Sequence, residues 1–213
     1  SKIKKVTFKG AIKPTSCQQW FFDCENLTTI NHMENLYTNT TDDMTSMFEN
    51  CTSLKKIDLS NFETKNVYHM DDMFMNCSSL KTIDTSKFNT AKVKDMQFMF
   101  YNCSSLQTLD VSNFNTSNVT NMTNMFYNCK LLKNIDLANF DTSKVTDFSR
   151  MFLGCSNLTT LNLSSFDTSK AWDMSSMFRN CNNLKTITVS NKWTTTNINN
   201  MFLNCGTDHV TKI

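Results

Sequence analysis

The sequence predicts an α/β solenoid, in which each coil is a short strand, a turn, and a helical segment returning behind it. Three observations predict it. Cysteines fall at Cys51, Cys77, Cys103, Cys129, Cys155 and Cys181, each 26 residues after the last. Around them, from Met47 to Cys181, one motif is written five times: Met-Phe-x-x-Cys-x-x-Leu-x-x-(Ile/Leu)-(Asp/Asn)-x-(Ser/Ala)-x-Phe-x-Thr-x-x-(Val/Ala)-x-x-(Met/Phe). Within each copy the apolar spacing changes from helical to alternating. A fixed period in the range of 20–50 residues marks a repeat architecture.

The unit from Val67 to Phe88 gives the reasoning for each element. Val67, Met70, Met73, Phe74 and Cys77 recur at intervals of three, three, one and three, which lie along one stripe of a helix. Past the cysteine the spacing alternates. Ile57-Asp58-Leu59 reads in, out, in, as a half-buried strand does. The Phe-x-Thr step that follows is the turn. Parallel strands on one side, one per coil, and helices on the other are therefore expected. A lone unit buries too little to offset the entropy of ordering it, so neighbouring coils must supply the rest.

The pattern extends to Cys24, 27 residues before Cys51, and to Cys205, 24 after Cys181. Residues 1–42 read as an N-terminal cap grading into an irregular first repeat: Lys5-Val6-Thr7-Phe8 as a strand, then Pro14, then Trp20-Phe21 where Met-Phe stands later. Residues 43–205 are the tandem repeats, and residues 206–213 a C-terminal end that could add one more short strand. The unbroken repeat makes this one domain. The chain opens at Ser1 without a methionine, which suggests a piece of a longer protein.

Composition narrows the function. With 21 basic and 19 acidic residues the formal charge is +2, which makes no electrostatic case for nucleic acid or a membrane surface. No apolar run is long enough to span a bilayer, so membrane attachment would have to come from outside these residues. Only three glycines and one proline are present, leaving the turns to Asn, Ser, Thr and Asp.

The motif Cys-x-x-Leu-x-x-Ile-Asp-Leu-Ser-x-Phe, followed by Val-x-x-Met-x-x-Met-Phe-x-x-Cys, resembles the BspA-like leucine-rich-repeat surface proteins in their 26-residue Met-Phe variant. The resemblance runs from about Trp20 to Cys205. It implies a right-handed parallel solenoid on a cell surface, most often bacterial, with roles in adhesion and contact with a protein or glycan of a host or neighbouring cell. It carries no catalytic motif and no shared ligand.

For an extracellular chain, nine cysteines raise the question of disulfides. Eight occupy one slot of the buried stripe, where a free thiol acts as a small hydrophobe. Parallel side chains on successive coils favour a ladder of free thiols over bridges, and a line of thiols is not a zinc tetrahedron. No cofactor or metal is expected. The histidines, His32, His69 and His209, lie in different coils with no nucleophile beside them, so no enzymatic activity is expected.

Function must then lie in exposed columns. Asp58, Asp84, Asp110 and Asp136 stand in register on the strand side, either as a cation or basic-ligand site or as acceptors for the Asp-x-Ser turn. The second reading is favoured, because calcium needs six to eight oxygens around a point. A second column follows each Met-Phe pair: Met75, Tyr101, Tyr127 and Leu153, with Phe98 beside it. On a helix it lies about 150° from the buried stripe, so its side chains are expected to point outward as an interaction patch. The alternative is that these rings stack the repeats. A spacer without a partner, holding another domain of a larger surface protein, is the competing function, favoured by the near identity of the central coils.

Overall fold

A computed structural model describes residues 1–213. The chain coils as a solenoid around one apolar core of 58 buried residues, running from Phe8 to Met201. Strands are short and all paired parallel: β1 (Lys5–Thr7) with β2 (Thr29–Asn31), β3 (Thr82–Ile83) with β4 (Thr108–Leu109), and β5 (Thr160–Leu163) with β6 (Thr186–Val189) and β7 (Thr211–Lys212). A 3-10 turn covers Met33–Asn35.

The strand side is three small sheets, not one. Five of the seven strands, β2 to β6, open on threonine before an Ile or Leu, namely Thr29, Thr82, Thr108, Thr160 and Thr186, while β1 has Lys5 opposite Thr29. The two rungs that stay unpaired carry Lys56 and Asn134 there instead. Thr82 faces Thr108, and Thr160 faces Thr186, the β-branched cross-strand contact that favours pairing. Clefts of about 340 Å³ and 320 Å³ open beside the unpaired rungs, lined by Ile30 and Lys56 in one and Thr108 and Lys133 in the other.

The expected helices behind the strands are not formed. The Met-Phe segments are consecutive β-turns, and the hydrogen bonds give the reason. In the segment Met44–Asn50, the N–H groups of Met44, Ser46, Phe48 and Asn50 donate to the carbonyls of His69, Asp71, Met73 and Met75 on the following coil, at 2.8–3.0 Å. The intervening amides of Met47, Glu49 and Cys51 close turns to Met44, Ser46 and Phe48 of their own coil. Half the amides that a helix would bond four residues back are thus taken by a neighbour. The first and last of these turns have a left-handed residue at the third position, Ser46 and Asn50, and the chain has one at the same two slots of every coil. The slot before each cysteine holds Asp23, Asn50, Asn76, Asn102, Asn128, Gly154, Asn180 and Asn204, all with positive φ. Asn and Gly are the residues that enter this region at least cost. The buried stripe itself is as expected: Met44, Met47, Phe48 and Cys51 are fully buried.

Side-chain ladders join the coils along the axis. Phe21, Phe48, Phe74, Phe100, Phe126, Phe152, Phe178 and Phe202 stack with ring centroids 5.2–6.0 Å apart. The nine cysteines are unbridged. Each thiol from Cys51 to Cys181 lies 3.0–3.2 Å from the phenylalanine carbonyl of the preceding coil, Cys77 on Phe48 for example. Burial pushes the Cys51 thiol up to about 12 and raises Cys77, Cys103, Cys129, Cys155 and Cys181 as well.

The threonine of each Phe-x-Thr step is buried too, and its hydroxyl clamps the backbone N–H and carbonyl of one residue of the next coil. The Thr116 hydroxyl donates to the Asp141 carbonyl at 2.9 Å and accepts the Asp141 N–H at 2.8 Å. Thr64, Thr90 and Thr142 do the same to Asn89, Asn115 and Asp167.

Candidate binding surface

On the strand side, the aspartate column is absorbed into turns. Asp58, Asp84, Asp110 and Asp136 each accept the N–H of the residue two further on, at 2.9–3.0 Å. The bonds from Ser60, Ser86 and Ser112 hold the Asp58, Asp84 and Asp110 carboxyls below their ordinary values, since a carboxylate that accepts hydrogen bonds keeps its charge. The favoured expectation, turn acceptors, describes their geometry. No group of three or more His, Cys, Asp or Glu side chains is arranged to hold a metal ion.

On the turn side the second column does not project freely. Met75, Phe98, Tyr101 and Tyr127 are half-buried, and Leu153 is buried at 9 % exposure. The 150° angle belongs to a helix, and the turns that stand in its place set a different direction. In a turn bonded to the coil ahead, the residue before the left-handed Asn leans along the axis onto its counterpart. Tyr101 and Tyr127 stack with centroids 4.4 Å apart at 12°, and Phe98 meets Tyr101 at 5.5 Å and 57°. The structure therefore brings Phe98, Tyr101 and Tyr127 together as one aromatic cluster, the two tyrosines face to face and Phe98 tilted against Tyr101.

Two neighbours of this cluster are not evident from the repeat pattern. Arg150 shares the slot of Phe98, two coils further on, and Arg179 shares the slot of Tyr101 and Tyr127. Burial and the neighbouring Tyr127 push the Tyr101 phenol above its ordinary value, and the Arg150 charge opposes them. The signal available in the sequence is scarcity: these are the chain's two arginines among its 21 basic residues.

An acidic group lies toward the N-terminal end of the same side. Asp72 occupies the left-handed slot with φ 58°. Burial, with Glu49, Asp71 and Asp95 nearby, pushes its carboxyl up to about 7. Asp95 is raised by burial as well. Of these residues Asp95 belongs to a column of parallel bridges, Ser16, Asp43, His69, Asp95, Asn121, Asp147, Asp173 and Asn197.

A tandem-repeat solenoid with unbridged thiols defines the class. Residues 15–109 and 103–210 match the family described as "Mycoplasma protein of unknown function, DUF285", and the chain belongs to that family. No curated protein matches it. Among solved structures it is similar to a leucine-rich repeat protein from Bacteroides ovatus ATCC 8483, at 17 % identity and a TM-score of 0.46, over 88 % of this chain and 55 % of that one. It is also similar to a leucine rich cell surface protein from Faecalibacterium prausnitzii A2-165, at 14 % identity and a TM-score of 0.39, over 90 % of this chain and 65 % of that one. The chain spans less than two thirds of either structure's length.

Proposed function

We propose that this chain is a non-enzymatic binding module of a BspA-like leucine-rich-repeat surface protein, carried outside the cell and used for adhesion to a host or neighbouring cell. The observation that carries the reading is the aromatic cluster of Phe98, Tyr101 and Tyr127. It lies outside the ladder of Phe74, Phe100 and Phe126, which is fully buried in the same coils. Tyrosine is favoured at the centres of protein interfaces, where a rigid ring and a hydroxyl act together. The test is attachment of domain-coated beads to extracellular matrix, comparing the natural chain with a Tyr101→Ser, Tyr127→Ser double variant. Loss of attachment with a melting temperature lowered by only a few degrees supports the module.

The competing reading, a rigid spacer, is favoured by the stacking of the two tyrosines, since ring pairs of this kind contribute roughly 0.5–1.5 kcal/mol to stability. It predicts no attachment by either protein and a stability loss of several kcal/mol in the double variant.

A further inference from the structure

We infer that the aromatic cluster and the two arginines form one elongated docking surface for a protein segment rich in carboxylates, lying along the solenoid axis. This deepens the binding-module reading and rests on it.

The slot five residues before each cysteine is left-handed in every coil, and its occupants are Gln19, Ser46, Asp72, Phe98, Asn124, Arg150, Ser176 and Asn200. Most are the short polar residues expected there. Phe98 at φ 53° and Arg150 at φ 56° are not. A bulky side chain at positive φ is disfavoured, and such outliers concentrate where function requires the side chain. Both flank the tyrosine pair.

The three ion pairs of the structure are His32–Glu34, Lys65–Glu63 and His209–Asp208, so neither arginine has a carboxylate partner within the chain. Arg150 is exposed and Arg179 half-exposed. Across four successive coils the surface therefore passes from Phe98 and Tyr101, through Tyr127, to Arg150 and then Arg179. At parallel-strand spacing this is about 15 Å, the length of four or five extended residues. Guanidinium groups suit bidentate contact with carboxylates. Ring geometry decides against a neutral sugar, which would need an open ring face. Here Tyr101 and Tyr127 cover one face of each other at 4.4 Å, which reduces the open ring face they offer.

The probe is a fluorescein-labelled seven-residue peptide alternating Glu with Leu and Tyr, with counterparts carrying Gln or Lys in place of Glu. Fluorescence anisotropy at low salt should show saturable binding of the acidic peptide, at least ten-fold tighter than the Gln form, and none of the Lys form. Arg150→Gln with Arg179→Gln should weaken it about ten-fold, and Gln is already tolerated in the Arg150 slot, as Gln19. Lys133→Gln, which removes a charge from the strand side, should leave it unchanged. Equal binding of the Glu and Gln peptides, equal loss in Lys133→Gln, or no binding at millimolar peptide overturns the proposal. So does tighter binding of heparin through the same arginines, which would make the ligand an anionic polysaccharide. Matrix attachment separates this inference from the reading beneath it. If the tyrosine variant loses attachment and the arginine variant keeps it, the module stands and the acidic partner falls. If the natural chain does not attach, both fall.

Discussion

Replacing Thr116 by valine removes one hydroxyl and almost no volume, which isolates what the buried threonine column contributes. The side chain is 1 % exposed, and its hydroxyl makes two hydrogen bonds to the backbone of Asp141 on the next coil, one to its N–H and one to its carbonyl. In Thr116→Val that N–H and carbonyl lose their partner. Leaving a buried polar group unpaired costs about 1–3 kcal/mol, so two cost about 2–6. The extra methyl returns roughly 0.8 kcal/mol. Because Asp141 is itself exposed, water repairs part of the deficit, and a net loss of about 2 kcal/mol is expected. Thr116→Ser keeps the hydroxyl and loses only a methyl, at about 1 kcal/mol. Urea unfolding of the three proteins should rank natural, serine, valine in falling stability, with unchanged slopes. Hydrogen exchange at the Asp141 amide should quicken in the valine variant alone. A valine protein as stable as the serine one, with Asp141 still protected, would show that the clamp contributes nothing and that threonine is there for its shape.

Two further outcomes follow from the same structure. The Asp72 carboxyl is pushed up to about 7, so in the folded state its ionised form is disfavoured. The stability cost is absent below the ordinary carboxylate range, grows as pH rises, and is complete above about pH 7. Asp72→Asn, which also suits the left-handed backbone there, should therefore stabilise the protein at pH 8 by about 1 kcal/mol, allowing for the half-exposed site, with little of that gain left at pH 4. A difference that does not change with pH would remove ionisation as its cause. Thiol titration of the native protein at pH 8 should find Cys205, the one half-exposed cysteine, and leave Cys51 to Cys181 unreactive until unfolding. Rapid labelling of three or more thiols would contradict the buried ladder.

The core was legible in the sequence because its slots are periodic: Phe74, Cys77 and Leu80 have counterparts 26 residues away on either side, and all are buried. The helix was misread because the stripe Val67, Met70, Met73, Phe74, Cys77 satisfies two structures. Apolar residues three and four apart lie on one face of a helix, and equally at the ends of successive four-residue turns. The residue that distinguishes them is polar. Asn50, Asn76, Asn102 and Asn128, one before each cysteine, mark a left-handed position that no regular helix contains, and apolar periodicity passes over them. The breaks in the sheet coincide with exposed residues, Lys56 and Asn134 where β2 to β6 have threonine, although Lys5 holds the same register position in the paired β1.

The surface was legible only in part, for a related reason. Tyr101 and Tyr127 stand out as a column because they depart from a repeat, but how a column projects depends on the backbone beneath it. With turns in place of helices, the rings lie along the axis, and Leu153 turns inward. Interior slots of this fold are constrained from both sides: a phenylalanine must stack on the phenylalanine before and after it, and a threonine must clamp the peptide ahead. Variation is therefore confined to slots whose side chains leave the ladder. Among these the left-handed slot has the strongest backbone preference, for short polar residues. A large side chain there is held against that preference, which separates Phe98 and Arg150 from the ordinary variation of exposed lysines and serines. Departure from a repeat is common on a surface; departure that also opposes the backbone is the narrower criterion, and it selects the two residues that flank the tyrosines.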